Sequence, residues 1–431
     1  MGLTSHKLLA LMTLLVVFTV FGTLWVWPRL AVRSWPAMFL RLGTIVLTQL
    51  TLLATLGLAV NDYFVFYSSW SDLLGRERGV GVIQDGGGLR AGPGPPAGHA
   101  GQTGHPGHVG QPGQPGQPGQ PGQPGQPGQP GRGGQGGAGG TGAVGGAPAG
   151  VQVFGPAEIT GTGSVGREPA RIGRLDRVRL PGTTTGLSTD GYVYLPPQYF
   201  QRGNEGRHFP AVLVMTGFPG DATNLVTKLR YPATELDLLR KGEMKPIVLV
   251  LMRPSPSMPR DSECEDVPGG PQAQSYFTTD VPADLRATYR VLGDEGSLGV
   301  MGDSTGGYCA VKLGMVHPRT FPVAVSLSGY FKAAEDVTTG DLFGGDRQRR
   351  DRADLNWRLA HLPTPELAVL LADSKQDGTT YADSTAFAAA ARPPMVVAQA
   401  TVNTGGHNFT TWNRLIPPSL GWLSAHLPDP R

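Results

Sequence analysis

Two long apolar blocks open the chain. The first runs from Leu8 to Trp27, the second from Leu42 to Val60, and neither contains a charged residue. Each is close to the roughly 20 residues that an α-helix needs to cross a bilayer. The first block is longer than the about 7 to 15 apolar residues of a secretory signal, and it ends in Trp-Pro-Arg rather than in small residues. The pattern predicts two transmembrane helices, with a cleaved signal followed by one anchor as the alternative.

Basic residues favour one orientation of these helices. The loop between the two blocks carries Arg29, Arg33 and Arg41, whereas only Lys7 precedes the first block. Loops rich in lysine and arginine stay on the cytoplasmic side of a membrane. We therefore expect the loop to be cytoplasmic and the long remainder of the chain to be extracytoplasmic.

Beyond residue 150, apolar runs alternate with segments of helical periodicity. The runs 210–217 and 246–252 are continuously apolar, which is typical of strands buried on both faces. An opening antiparallel pair is predicted at 171–182 and 191–200. Strands that alternate with helices predict an α/β fold with a mostly parallel, doubly wound sheet. The further predicted strands are 297–302, 321–329, 366–373 and 393–401, and the predicted helices are 222–230, 281–293, 305–318, 384–392 and 420–427.

Between these regions the sequence is dominated by glycine. The chain has 64 Gly and 39 Pro in 431 residues, and a glycine falls at every third position from Gly98 to Gly140. This is the collagen period, so the run either forms a trimeric triple helix or serves as an unfolded, polyproline-like spacer. Extended at about 3.1 Å per residue, a spacer would hold a domain on the order of 100 Å from the membrane. We predict an anchor at 1–75, a linker at 76–150 and a catalytic domain at 151–431.

A serine with the context of a nucleophile lies in the sequence Gly302-Asp303-Ser304-Thr305-Gly306. It fits G-x-S-x-G, directly after an apolar strand and directly before a helix. The glycines permit a tight turn, and the helix N-terminus beyond it favours developing negative charge. We predict that Ser304 is a nucleophile.

A base and an acid for this serine are expected downstream. His407 follows the last predicted strand and the flexible pair Gly405-Gly406, so it can reach the edge of the sheet where the serine lies. The acid should follow the strand before that one, where Asp377 is the first choice and Asp373 the second. The acid would orient the imidazole and stabilise its protonated form. The other downstream histidines, in segments more typical of packing or capping, are His317, His361 and His426.

The order of these residues defines the class. Ser, Asp, His is the order of α/β-hydrolases, whereas chymotrypsin-like proteases run His, Asp, Ser. The likeness of "GDSTGG" to a protease motif is therefore coincidental. An oxyanion hole would take one backbone N–H from Thr305 and a second from Phe218, because Pro219 in the same loop has none.

From about residue 190 to 425 the chain resembles the putative-esterase family of α/β-hydrolases, which includes esterase D (S-formylglutathione hydrolase) and the secreted mycolyltransferases. The resemblance lies in "YVYLPPQYF", "VLVMTGFPGD", "VMGDSTGGYCAVKLGMVHPRTFPVAVSLSGYF" and "TGGHNFTTW". It implies acyl-ester chemistry through an acyl-enzyme, with Ser304, His407 and Asp377 as the triad. Several relatives have methionine after the nucleophile, where this chain has Thr305.

The two cysteines, Cys264 and Cys309, form an even pair in a chain expected outside the cytoplasm. Such pairs are readily oxidised there, so a disulfide between them is predicted, with two buried free thiols as the alternative.

Composition narrows the partners. The formal net charge is +3, and no long basic run typical of a nucleic-acid arm is present. We expect a membrane-anchored serine esterase or acyltransferase that acts on an ester or acyl-lipid, with a sugar as a candidate acceptor, without metal or cofactor. The alternative is a collagen-like trimeric surface protein with a non-catalytic head.

Overall fold

The computed structural model describes residues 2–31, 34–85, 150–162 and 168–431. The Gly-rich run lies outside these ranges, as does most of the predicted linker. The choice between a trimeric triple helix and a spacer therefore also falls outside the described residues.

The two N-terminal apolar blocks form a helical hairpin. The helices are α1 (His6–Val26) and α2 (Trp35–Phe64), and most of their large apolar side chains are exposed. Threonine hydroxyls join them, with Thr19 3.1 Å from Thr51 and Thr23 2.9 Å from Thr48. Both helices are long and apolar enough to cross a membrane, a test that a signal sequence near the N-terminus also passes.

The rest of the described chain is built around a ten-stranded sheet. Its strands lie in the order β1-β10-β9-β8-β7-β5-β6-β4-β3-β2. The six strands from β10 to β6 in this order are parallel, and the outer strands pair antiparallel. The predicted mostly parallel sheet and its opening antiparallel pair, now β3 and β4, are confirmed. The strands are β1 (Val82–Asp85), β2 (Gln152–Ala157), β3 (Arg174–Pro181), β4 (Ser188–Leu195), β5 (Ala211–Met215), β6 (Val248–Met252), β7 (Leu298–Asp303), β8 (Val323–Leu327), β9 (Ala368–Ser374) and β10 (Val396–Val402).

Helices cover both faces of this sheet, which explains why its central strands are apolar throughout. In β5, Leu213 and Met215 pack into one core and Val212 and Val214 into the other. Burial of both faces is typical of parallel strands that are connected by helices. The remaining helices are α3 (Trp70–Leu73), α4 (Pro169–Ile172), α5 (Ala222–Thr227), α6 (Tyr231–Lys241), α7 (Ala273–Ser275), α8 (Val281–Thr288), α9 (Thr305–Val316), α10 (Arg347–Arg352), α11 (Leu355–His361), α12 (Gly378–Ala390) and α13 (Phe409–Ala425).

Strand β1 departs from the sequence prediction. It lies within the range 76–150 that we assigned to the linker, yet it pairs antiparallel with β10, with Val82 opposite Thr401. Only residues 65–81 connect β1 to the end of α2. The range that we assigned to the linker thus includes one strand of the sheet, which begins before the Gly-rich run.

Candidate active site

Ser304 lies in a strained turn between β7 and α9. Its φ of 54° and ψ of −120° are rare for a residue with a side chain, as expected for a nucleophile elbow. The flanking glycines are required by close backbone contacts. A Cβ on Gly302 would lie 2.5 Å from the carbonyl oxygen of Met215, and one on Gly306 would overlap the same carbonyl. The G-x-S-x-G pattern thus lets the turn press against the end of β5.

His407 and Asp377 meet at the same edge of the sheet. Asp377 follows β9, His407 follows β10, and the His407 Nδ1 atom lies 3.1 Å from Oδ2 and 3.3 Å from Oδ1 of Asp377. Asp377 is buried, with 3% of its surface exposed. The second candidate acid, Asp373, lies within β9, and burial raises its pKa well above the usual range. The carboxylate that contacts His407 Nδ1 is that of Asp377, so the geometry favours Asp377.

Ser304 and His407 line one cavity of about 560 Å³ at the carboxyl ends of the strands. Phe218 and Trp412 contribute to its wall, and the edge of the Trp412 ring packs on the His407 ring, with centroids 5.0 Å apart. Open α/β sheets bind their ligands at this edge. The cavity is therefore the candidate site for an ester.

Backbone donors for an oxyanion are present beside the serine. Asp303 Oδ2 accepts the N–H of Gly217 at 2.9 Å, which fixes the start of the loop after β5. Within the described ranges, the N–H groups of Phe218 and Thr305 donate no hydrogen bond to another residue. The loop lies close to the nucleophile, since a Cβ on Gly217 would be 2.9 Å from the Cβ of Ser304.

Asp303, the residue before the candidate nucleophile, is buried. Burial raises its pKa to about 7, against the opposing effects of the Gly217 hydrogen bond and the charge of His407. The carboxyl group therefore ties the nucleophile turn to the oxyanion loop while it carries little charge at acidic pH.

Behind the nucleophile helix lies a polar cluster around a disulfide. Cys264 and Cys309 are bonded, with Cα atoms 5.7 Å apart. Next to them the buried Lys312 ammonium donates to the carbonyl oxygens of Glu263 and Cys264 at 3.0 Å and 2.8 Å. The disulfide and this ammonium together hold the loop after β6 against α9.

The residue after the nucleophile belongs to the same cluster. The hydroxyl of Tyr330 donates to Glu263 Oε1 at 2.6 Å and lies 3.0 Å from the hydroxyl of Thr305. Burial raises the pKa of Glu263 to about 8. Thr305, which departs from the methionine of several relatives, thus has a hydrogen-bonded place in this fold.

The histidine loop is held by the segment between α2 and β1, which we call the α2–β1 segment (residues 65–81). The His407 N–H donates to the Val65 carbonyl at 3.0 Å, and the Asn408 amide donates to the Phe66 carbonyl at 2.6 Å. Phe66 and Tyr67 also line the cavity that holds Ser304. This segment was not among the predicted site residues, because no local motif marks a contact with residues more than 300 positions away.

Asp72 is the centre of this contact. Its carboxylate, 1% exposed, accepts the Gly406 N–H at 2.7 Å and the Asn408 amide at 3.1 Å. Two further bonds are present: the Gly405 N–H donates to the Ser68 hydroxyl, and the Thr404 hydroxyl donates to the Glu77 carboxylate. Every residue from Thr404 to Asn408 therefore bonds to the α2–β1 segment.

No group of three or more His, Cys, Asp or Glu residues that could hold a metal ion occurs among the described residues.

The strand order, the serine turn and the neighbouring histidine define the α/β-hydrolase fold. Residues 182–423, more than half of the chain, match the family described as "Putative esterase", and the chain belongs to that family. Membership indicates a carboxylic-ester hydrolase.

Relatives are distant in sequence. An uncharacterized protein of Corynebacterium glutamicum is 23% identical over 274 residues, which cover 59% of this chain and 62% of that protein. A ferulic acid esterase superposes with a TM-score of 0.50 at 17% identity, over 59% of this chain and 98% of the other. An S-formylglutathione hydrolase from Agrobacterium tumefaciens gives 0.50 at 16% identity, over 64% and 100%. At these identities the structures share the fold with this chain.

Proposed function

We propose that this protein is a membrane-anchored serine esterase or acyltransferase whose triad is Ser304, His407 and Asp377. The observation that carries the proposal is the shared cavity of Ser304 and His407 together with the contact between His407 Nδ1 and Asp377. Because Nδ1 faces the carboxylate, the Nε2 atom is left to exchange a proton with the serine.

The first half of the reaction forms an acyl-enzyme. The Ser304 hydroxyl oxygen attacks the ester carbonyl while its proton passes to His407, and Asp377 stabilises the imidazolium. The oxyanion accepts the N–H groups of Phe218 and Thr305, a type of contact worth about 3 to 4 kcal/mol in the transition state. His407 then returns the proton to the leaving alcohol as the carbon–oxygen bond breaks.

The second half reverses these steps with a new acceptor. Water or a sugar hydroxyl gives its proton to His407, attacks the acyl carbonyl and releases Ser304. Water gives hydrolysis, and a sugar hydroxyl gives acyl transfer. The apolar helices α1 and α2 would anchor the enzyme, with the catalytic sheet outside the cytoplasm as the arginines of their loop favour.

The test is the hydrolysis of p-nitrophenyl butyrate by the full-length protein in detergent, beside Ser304→Ala. We expect a loss of roughly 10⁴-fold or more in the variant, because a missing nucleophile leaves only binding and oxyanion stabilisation. Mass spectrometry after treatment with a fluorophosphonate should find the adduct on Ser304. Equal activity in two variants of the same melting temperature would refute the triad.

A further inference from the structure

A second cavity lies beside the candidate active site and differs from it in character. It has a volume of about 440 Å³, and its wall is almost wholly apolar, with side chains from both N-terminal helices. The helix residues include Leu8 and Met12 of α1 and Ala54, Gly57 and Leu58 of α2.

Two residues belong to both cavities. Phe66 and Tyr67 line the apolar cavity and also the cavity that holds Ser304 and His407. The position of Tyr67 is fixed by Asn61, whose amide donates to the Tyr67 carbonyl at 3.0 Å and accepts its N–H at 2.8 Å. These paired bonds satisfy both ends of the Asn61 amide, so the wall between the cavities can remain apolar.

The apolar cavity lies at the end of the helical hairpin where α2 leads towards the sheet. From Ala54 to Asn61 it covers about 10 Å along α2, at 1.5 Å per residue. Trp70 and Leu73, which line the cavity, expose 50% and 43% of their surfaces, and the adjacent Leu74 exposes 61%. Exposed tryptophan close to an apolar helix is typical of the boundary between a bilayer and water.

We propose that this enzyme acts on lipid esters of the bilayer, with the acyl chain in the apolar cavity and the ester carbonyl at Ser304. The inference rests on the proposed esterase function and names its substrate class. The chain would leave the bilayer between α1 and α2, pass Phe66 and Tyr67, and present its ester without crossing water. Because the chain passes from one apolar environment to another, its CH₂ groups avoid exposure to water, a cost that grows with chain length.

The test compares two glycines of α2 in the full-length protein. Gly57 lines the apolar cavity and Gly43 does not, and a Cβ on either would meet nothing within 4 Å. Gly57→Trp should fill the cavity, and Gly43→Trp is the matched control. The probes are p-nitrophenyl palmitate, incorporated in phosphatidylcholine vesicles that carry the protein, and p-nitrophenyl butyrate in the same vesicles.

We expect the ratio of palmitate to butyrate turnover to fall at least tenfold in Gly57→Trp and to stay unchanged in Gly43→Trp. Ala54→Phe, a second variant on the cavity wall, should lower the ratio in the same direction if Gly57→Trp fails to insert. An unchanged ratio in the cavity variants, or an equal fall in Gly43→Trp, would overturn the lipid proposal and leave the esterase intact. Failure of the wild-type protein to hydrolyse either ester or to form the Ser304 adduct would instead overturn the proposed function.

Discussion

The nucleophile turn and the histidine loop lie at the same edge of the sheet but are held by different parts of the chain. The turn around Ser304 is fixed from within the hydrolase domain, by β5, by Asp303 and by the cluster behind α9. The loop Thr404–Asn408 is fixed largely by the α2–β1 segment, which precedes the Gly-rich run. The residues around the candidate active site are therefore held by segments from both sides of that run.

Among changes that leave Ser304, His407 and Asp377 in place, the largest effect should follow from the removal of residues 1–149. The histidine loop would lose its bonds to Val65 and Asp72, and β10 would lose β1 as its neighbour. We expect butyrate hydrolysis to fall about 10³-fold, or roughly 4 kcal/mol in the activation barrier, in a protein that still contains all three triad residues. The measurement is kcat/KM in one detergent, beside the full-length protein.

A shortened Gly-rich run is the matched control. When residues 105–128 are deleted, the stretch left between β1 and β2 can still extend at about 3.3 Å per residue. Its extended length exceeds the roughly 45 Å across a ten-stranded sheet, so β1 can still reach its edge. Its activity should equal that of the full-length protein. A fragment from Gly150 onward with undiminished activity would refute a role of the α2–β1 segment in holding the site.

A smaller effect is expected from Asp72→Ala. This variant removes the central contact between the α2–β1 segment and the histidine loop but leaves the helices and β1. The Gly406 N–H and the Asn408 amide would lose their acceptor, and the imidazole would be held less firmly. We expect kcat to fall about 30-fold with little change in KM, equivalent to about 2 kcal/mol. Asp72 is a positioning residue, so fluorophosphonate labelling of Ser304 should slow in proportion.

Asp62→Ala is the control for this charge change. Asp62 lies near the end of α2 and pairs with His6 rather than with the histidine loop. It should leave kcat unchanged. A similar loss in Asp62→Ala, or a rise in KM alone in Asp72→Ala, would argue against a role in placing His407.

The two regions also differ in how well sequence predicts them. Ser304 was predictable, because a strained elbow requires glycines two positions to either side and an apolar strand before it, all within one stretch. His407 and Asp377 followed from strand order and their contact is present. The role of Asp72 was not predictable, because it depends on a pairing between β1 and β10 across more than 300 residues. β1 has only four residues, too few for a periodic pattern to reveal.

The pH response should separate the two regions as well. Hydrogen bonds from Ser71 and Thr404 hold the pKa of Glu77, in the α2–β1 segment, below its usual range. This carboxylate favours the folded state at neutral pH, and its contribution is lost as pH falls. On the nucleophile side, burial raises the pKa of Glu263 from 4.5 to about 8, so the sign is opposite.

The last effect we predict concerns stability rather than activity, and it is a change in the pH dependence of stability in Glu263→Gln. Between pH 4.5 and about 8 the folded protein keeps a proton on Glu263 that the unfolded chain has lost. Stability must fall as pH rises through this window, by at most about 1.4 kcal/mol per pH unit from this group. The glutamine cannot ionise and still accepts the Tyr330 hydroxyl, so the melting temperature of the variant should decline less between pH 5.5 and 8.5. A decline as steep as that of the wild-type protein would mean that Glu263 is ionised in the fold, and that both regions respond to acid alike.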